Sequence, residues 1–190
     1  MFRQTMIAVA MACAMAVPAI AQDSDSRNKN LDIRSSVGDL HVGNDADAKK
    51  IGLPLYPGAR LKTNDNNQDQ ANLSLFTDAF GMKLVVANYV SNDAASKILD
   101  FYRDRMKKYG KVLECHSPNR SVSMHDDDDD KKSEKGNQLT CDGDNTGPVT
   151  ELKVGTEDNQ RVVSVEAGDA SKGTNFALVY VYTRGKRGDI

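Results

Sequence analysis

Residues 82–110 read MKLVVANYVSNDAASKILDFYRDRMKKYG, and the reading of this stretch decides the fold. Met82 to Val90 is rich in β-branched and aromatic side chains and reads as a strand. Ser91 or Asn92 then caps a helix, with Asp93 at the positive end of its dipole. From Asn92 to Tyr109, the residues Ala95, Ile98, Leu99, Tyr102, Met106 and Tyr109 recur at helical spacing and form one apolar stripe, widened by Ala94 and Phe101. Lys97, Asp100, Arg103, Asp104, Lys107 and Lys108 lie off the stripe, with Asp104 and Lys108 spaced as an i,i+4 pair. Lys107 and Lys108 complement the negative end of the helix, and Gly110 is its expected stop. A helix with one apolar stripe needs a surface on which to bury it, and the rest of the chain supplies strands.

Upstream, Ala71 to Phe76 alternates, with Leu73 and Leu75 on one face, and Thr77 to Gly81 joins it to the Met82–Val90 strand as a hairpin. Asn64 to Gln70 reads as a polar loop. Ile51 to Leu61, IGLPLYPGARL, leads the chain into the domain. Pro57-Gly58 suits a type II turn there, and Leu53, Leu55 and Tyr56 seal the edge of a core. Downstream come only strands. Lys111 to His116 is expected to pair with Gln138 to Cys141 across a charged insert. Val149–Val154 and Arg161–Val165 form a hairpin turning through Glu157-Asp158-Asn159, and Phe176 to Thr183 is the last strand. The order is ββαβββββ, an α+β fold in which one long helix packs on a curved antiparallel sheet. The expected organisation is a single domain over 51–184, with an acidic insert at 117–136 and a tail at 185–190. Ahead of it, residues 22–50 form a polar arm. Within that arm, Leu31-Asp32-Ile33 and Leu40-His41-Val42 flank a turn-like cluster at Ser35–Asp39, the makings of a small hairpin.

The first 21 residues read MFRQTMIAVAMACAMAVPAIA. Arg3 is a short positive n-region, Met6 to Val17 is apolar throughout, and Ala19-Ile20-Ala21 is a small-x-small cleavage site. This is the pattern of a secretory signal, too short to span a bilayer, with the mature chain starting near Gln22 in the periplasm or outside the cell. Cys13 would leave with the signal, because Ala10 stands where a lipoprotein motif places Leu or Val. Cys115 and Cys141 remain, and two cysteines in an exported chain are expected to pair. No CxxC accompanies them.

Two motif groups carry a resemblance. Leu53-Pro54-Leu55-Tyr56-Pro57-Gly58-Ala59, then Phe101-Tyr102, and Lys107 through Cys115 (KKYGKVLEC) follow one another along the chain. Over roughly Ile51 to Arg184 the chain resembles uncharacterised exported bacterial proteins with a "YPGA … FY … LKKYG" signature, a domain of unknown function. The resemblance implies location and fold and assigns no catalytic residue.

The full chain has 25 Lys and Arg against 27 Asp and Glu, a net charge of −2. A nucleic-acid surface or a polybasic membrane anchor would need a basic patch, and none is present. The three histidines, His41, His116 and His125, form no HxH, HExxH or Cys/His zinc spacing. There is no GxSxG, Walker loop or GxGxxG, so catalytic and cofactor-binding residues are both expected to be none. Cys115-His116 are neighbours on a strand, so they point to opposite faces and make no thiol–imidazole pair. Asp126, Asp127, Asp128, Asp129 and Asp130 form an acidic run read first as a solvated loop and second as a cation site, though without EF-hand spacing. Phe176, Tyr180 and Tyr182 share one face of the last strand, where they pack in the core or line a groove. These features point to an exported, non-enzymatic binding or structural module, with an envelope protein as possible partner. The rival readings are a small-ligand carrier with a helix–sheet cleft and a hydrolase of unfamiliar type.

Overall fold

The computed structural model describes residues 30–62, 70–118, 138–166 and 173–185. The signal segment, Cys13, His125 and the Asp126–Asp130 run lie outside the described residues. Among the described residues nine strands are present: β1 (Leu31–Ser35), β2 (Gly38–Gly43), β3 (Arg60–Leu61), β4 (Gln70–Phe76), β5 (Gly81–Ser91), β6 (Leu113–Ser117), β7 (Val149–Thr156), β8 (Asn159–Glu166) and β9 (Thr174–Arg184). Two helices accompany them, α1 (Ala48–Ile51) and α2 (Ala95–Met106), and a 3₁₀ turn over Lys107–Tyr109 extends the second. All strands pair antiparallel, in the order β1-β2-β4-β5-β9-β8-β7-β6, with β3 alongside β5.

This corrects the expected fold class. Strands make up 52% of the described residues and helices 15%, so the chain is mainly β and not an α+β fold built on one long helix. Two causes shorten the helix. Ser91 Oγ accepts the Asp93 N–H and Thr174 Oγ1 donates to the Asp93 carbonyl, so these residues form a turn and α2 begins only after Ala94. At the other end the backbone tightens to 3₁₀, where Tyr109 Oη donates to the Gly52 carbonyl. Lys107, not Lys108, pairs with Asp104. The extra strands come from the segment read as a polar arm. The expected hairpin forms as β1–β2, and β2 also pairs along β4, which makes it part of the main sheet. Pairing also differs at β6, whose neighbour is β7; Gln138 makes a single bridge to Thr156 instead.

The helix-bearing face holds the core. Ile98, Tyr102 and Met106 of α2 are fully buried against Leu152, Val154, Val163, Phe176 and Leu178. Leu99 is only partly buried, so the stripe is centred one residue away from it. Segment 46–56 closes the core from the other side. Asp47 caps α1 by accepting the Lys50 N–H, and Gly52 ends it with φ of +84°, a left-handed conformation that favours glycine. At Pro57-Gly58 the Ala59 N–H bonds the Tyr56 carbonyl and Gly58 has φ of +73°, which closes the expected turn. Tyr89 Oη accepts the Ala48 N–H and Tyr102 Oη accepts the Tyr56 N–H, so two core tyrosines tie this segment down.

The opposite face has its own apolar cluster, Ala177, Val179 and Val181 with Leu84, Val86 and Val162. Register extends it into an unbroken row across five strands: Leu31, Val42, Leu73, Leu84, Val181. Among the described residues no helix is long and apolar enough to cross a membrane.

Candidate functional site: an aromatic and cationic strip

Strand alternation puts Phe176, Leu178, Tyr180 and Tyr182 on the helix-bearing face. The three aromatic residues picked from the sequence separate here. Phe176 is fully buried, its ring against those of Tyr56, Tyr89 and Tyr102. Tyr180 and Tyr182 are only partly buried. Tyr180 packs against the margin of the main cluster, and Tyr182 is not part of it.

There, cations and rings alternate. Arg161 faces Tyr180 directly across β8 and β9. Its guanidinium lies 4.0 Å from the Tyr109 ring centroid and 4.8 Å from that of Tyr180. Lys108 Nζ sits 4.7 Å from Tyr109, and Lys83 Nζ sits 5.9 Å from Tyr180. Lys83 stands opposite Tyr182, whose ring is 6.5 Å from that of Phe76. Arg161 Nε donates to the Ile51 carbonyl at 3.0 Å, which fixes the plane of the guanidinium. Two tyrosine rings, Tyr109 and Tyr180, lie against it. Its terminal NH₂ groups make no hydrogen bond among the described residues, so the remaining donors point edgewise. A planar fork held in this way matches a carboxylate or another flat anion. Arg161, Lys83 and Tyr109 were not read as site residues from sequence. The available signal was an arginine at a position in phase with Val163 and Val165, the inward residues of β8.

A second polar group stands on the same face, on β2. His41 Nδ1 bonds Asp32 at 2.8 Å, and its Nε2 lies 3.3 Å from Asp45. Asp45 also accepts from Asn72 at 2.9 Å and pairs with Lys50. The bond to Asp32 is the largest influence on His41 and raises its pKa above 6.5, against a weaker opposing effect of burial. Burial works against the Asp45 charge, yet hydrogen bonds from Lys50, Asn72 and His41 together hold its carboxyl well below the usual range. His116 is elsewhere, on β6, where its backbone N–H donates to Asn145 Oδ1. Among the described residues no group of three or more His, Cys, Asp or Glu is placed to hold a metal ion.

Cys115 and Cys141 form the expected disulfide, with Cα atoms 5.4 Å apart. A disulfide indicates an extracytoplasmic location. Beside it, Lys153 bonds Asp142 at 2.6 Å and lies 3.5 Å from Glu151, which accepts from Ser117 Oγ at 3.2 Å. The bridge and this ion group together hold residues 141–142 to β6 and β7.

No family model, curated protein or solved structure matches this chain.

Proposed function

We propose that the chain is an exported, non-enzymatic binding module that recognises an anionic carbohydrate on the strip of Lys83, Arg161, Tyr180 and Tyr182. The observation that carries the reading is the guanidinium of Arg161, 4.0 Å from the Tyr109 ring centroid and 4.8 Å from that of Tyr180, and anchored through Nε to the Ile51 carbonyl. Tyrosine rings stack on the carbon face of a sugar, and a fixed guanidinium edge donates to its carboxylate bidentately. Location outside the cytosol is supported by the disulfide and by the apolar run Met6–Val17 followed by Ala19-Ile20-Ala21. The resemblance carried by Leu53–Ala59, Phe101-Tyr102 and Lys107–Cys115 to exported bacterial proteins supports the same location. A carrier with a helix–sheet cleft has less support, because the Phe176 ring fills the interval between α2 and β9.

The test is calorimetric titration with oligogalacturonate and, as its neutral counterpart, oligogalactose. Binding is expected for the charged oligomer only, weaker at high salt, and weaker by at least about tenfold in Lys83→Glu. Equal binding of the neutral oligomer, or an unchanged affinity in Lys83→Glu, overturns the reading.

A further inference from the structure

β1 is the edge of the sheet: among the described residues it pairs with β2 alone, and all five of its residues are exposed. Hydrogen-bond parity shows what that edge offers. The Thr77 N–H bonds the Phe80 carbonyl, which makes Leu75–Met82 a bonded pair and turns the backbone of Phe76 and Ser74 toward β2. Their partners Asp39 and His41 therefore bond toward β4, and Leu40 and Val42 bond toward β1. It follows that Leu31, Ile33 and Ser35 spend their backbone groups on β2. Asp32 and Arg34 direct theirs at the open edge.

Free edges are usually blocked by like charges or a lone lysine. This edge carries one acid and one base, placed two residues apart about Ile33. Under a two-fold axis through Ile33, antiparallel pairing of two such edges sets Asp32 of each copy opposite Arg34 of the other. Those are the very residues with outward backbone groups, so they form two bonded pairs. Ile33 then meets its own copy at the axis in a non-bonded pair, where side chains approach most closely. Ile33 is 48% exposed and Leu31 52% exposed, both on the apolar face described above. The registers one step to either side place Asp32 opposite Asp32, or Arg34 opposite Arg34, and are repelled. Asp32 keeps its bond to His41 through one oxygen and has the second for the arginine.

We infer that two copies of this chain associate through β1, edge to edge about Ile33, to form one continuous antiparallel sheet with the Ile33–Leu40–Leu75 apolar row running on from copy to copy. The interface is narrow, so association is concentration-dependent and weakened by salt.

The experiment is sedimentation velocity on the full mature protein and three charge variants. The wild type is expected to dimerise as concentration rises. Asp32→Arg alone and Arg34→Asp alone each set like charges across the axis and are expected to be monomeric. An equimolar mixture of these two single variants pairs two bases on one edge with two acids on the other, and should dimerise again. The doubly exchanged chain, Asp32→Arg with Arg34→Asp, should dimerise by itself. Far-UV circular dichroism confirms that each variant is folded, and the mixture reports on pairing even if one variant alone is less stable. A monomeric wild type at every concentration overturns the inference. So do single variants that still dimerise, or folded single variants that stay monomeric when mixed.

Discussion

Lys153→Met is expected to unfold this protein more readily than any single truncation at its surface. The Lys153 side chain is 9% exposed and that of Glu151 is 4% exposed. Cys115, directly across from Glu151 on β6, is itself almost fully buried. Among the described residues, removing the ammonium leaves the Glu151 carboxylate with the Ser117 hydroxyl as its remaining hydrogen-bond donor. Breaking a buried ion pair on one side costs about 3–5 kcal/mol. Asp142, at 28% exposure, rehydrates and adds little. The double variant Glu151→Met/Lys153→Met removes both charges from the same face of β7. It is expected to lie within about 1 kcal/mol of wild type, because packed apolar side chains replace such a pair at little cost. Urea unfolding of the oxidised protein reads both. With a slope on the order of 2 kcal/mol/M, the single variant should lose roughly 2 M in midpoint and the double almost nothing. A single variant that loses under about 1 kcal/mol, or a double variant as unstable as the single, would show that Glu151 and Lys153 are solvated and would refute the reasoning.

Three further predictions follow from the packing and charges. Ile98→Ala is expected to cost about 2–5 kcal/mol in chemical unfolding, Leu99→Ala distinctly less, and Lys97→Ala within about 0.5 kcal/mol, because only Ile98 of the three is fully enclosed. Breaking the Cys115–Cys141 bridge, which spans 26 residues, by a double Cys→Ala change should lower stability by about 3.5 kcal/mol on chain-entropy grounds, read by thermal unfolding. His41 should titrate above 6.5 by NMR. Because its folded pKa is raised, its contribution is complete below the unfolded value and is lost as pH climbs from there through the folded value. Asp32→Asn should bring the His41 midpoint down and flatten that loss of stability.

The β4–β5 and β7–β8 hairpins and the last strand were legible because their alternation is strong and their turns short. The stripe of α2 was legible too, but its ends were not. Which residue takes the cap depends on Thr174, far along the chain, which binds the Asp93 carbonyl. β1 and β2 read as a polar arm because only Leu31, Ile33, Leu40 and Val42 are apolar there, all on one face, and local composition outweighs so thin a pattern. The partner of β6 was misread because proximity in sequence favoured Gln138–Cys141, whereas that segment is held by the disulfide and β7 takes the ladder. Of the strip, Tyr180 and Tyr182 were visible as a period-two pair. Arg161 was not, since its role arises from Tyr109 at the end of the helix and Ile51 at the end of α1 meeting on one guanidinium.

The central claim is that the Lys83–Arg161–Tyr180–Tyr182 strip binds an anionic sugar, and amide chemical-shift mapping tests it most directly. On titration of the isotope-labelled protein with oligogalacturonate, shifts are expected to concentrate on β5, β8 and β9 around these four residues, with the Arg161 side-chain Nε–H among the largest. No saturable shift, or shifts centred away from the strip on the opposite apolar face, would contradict it.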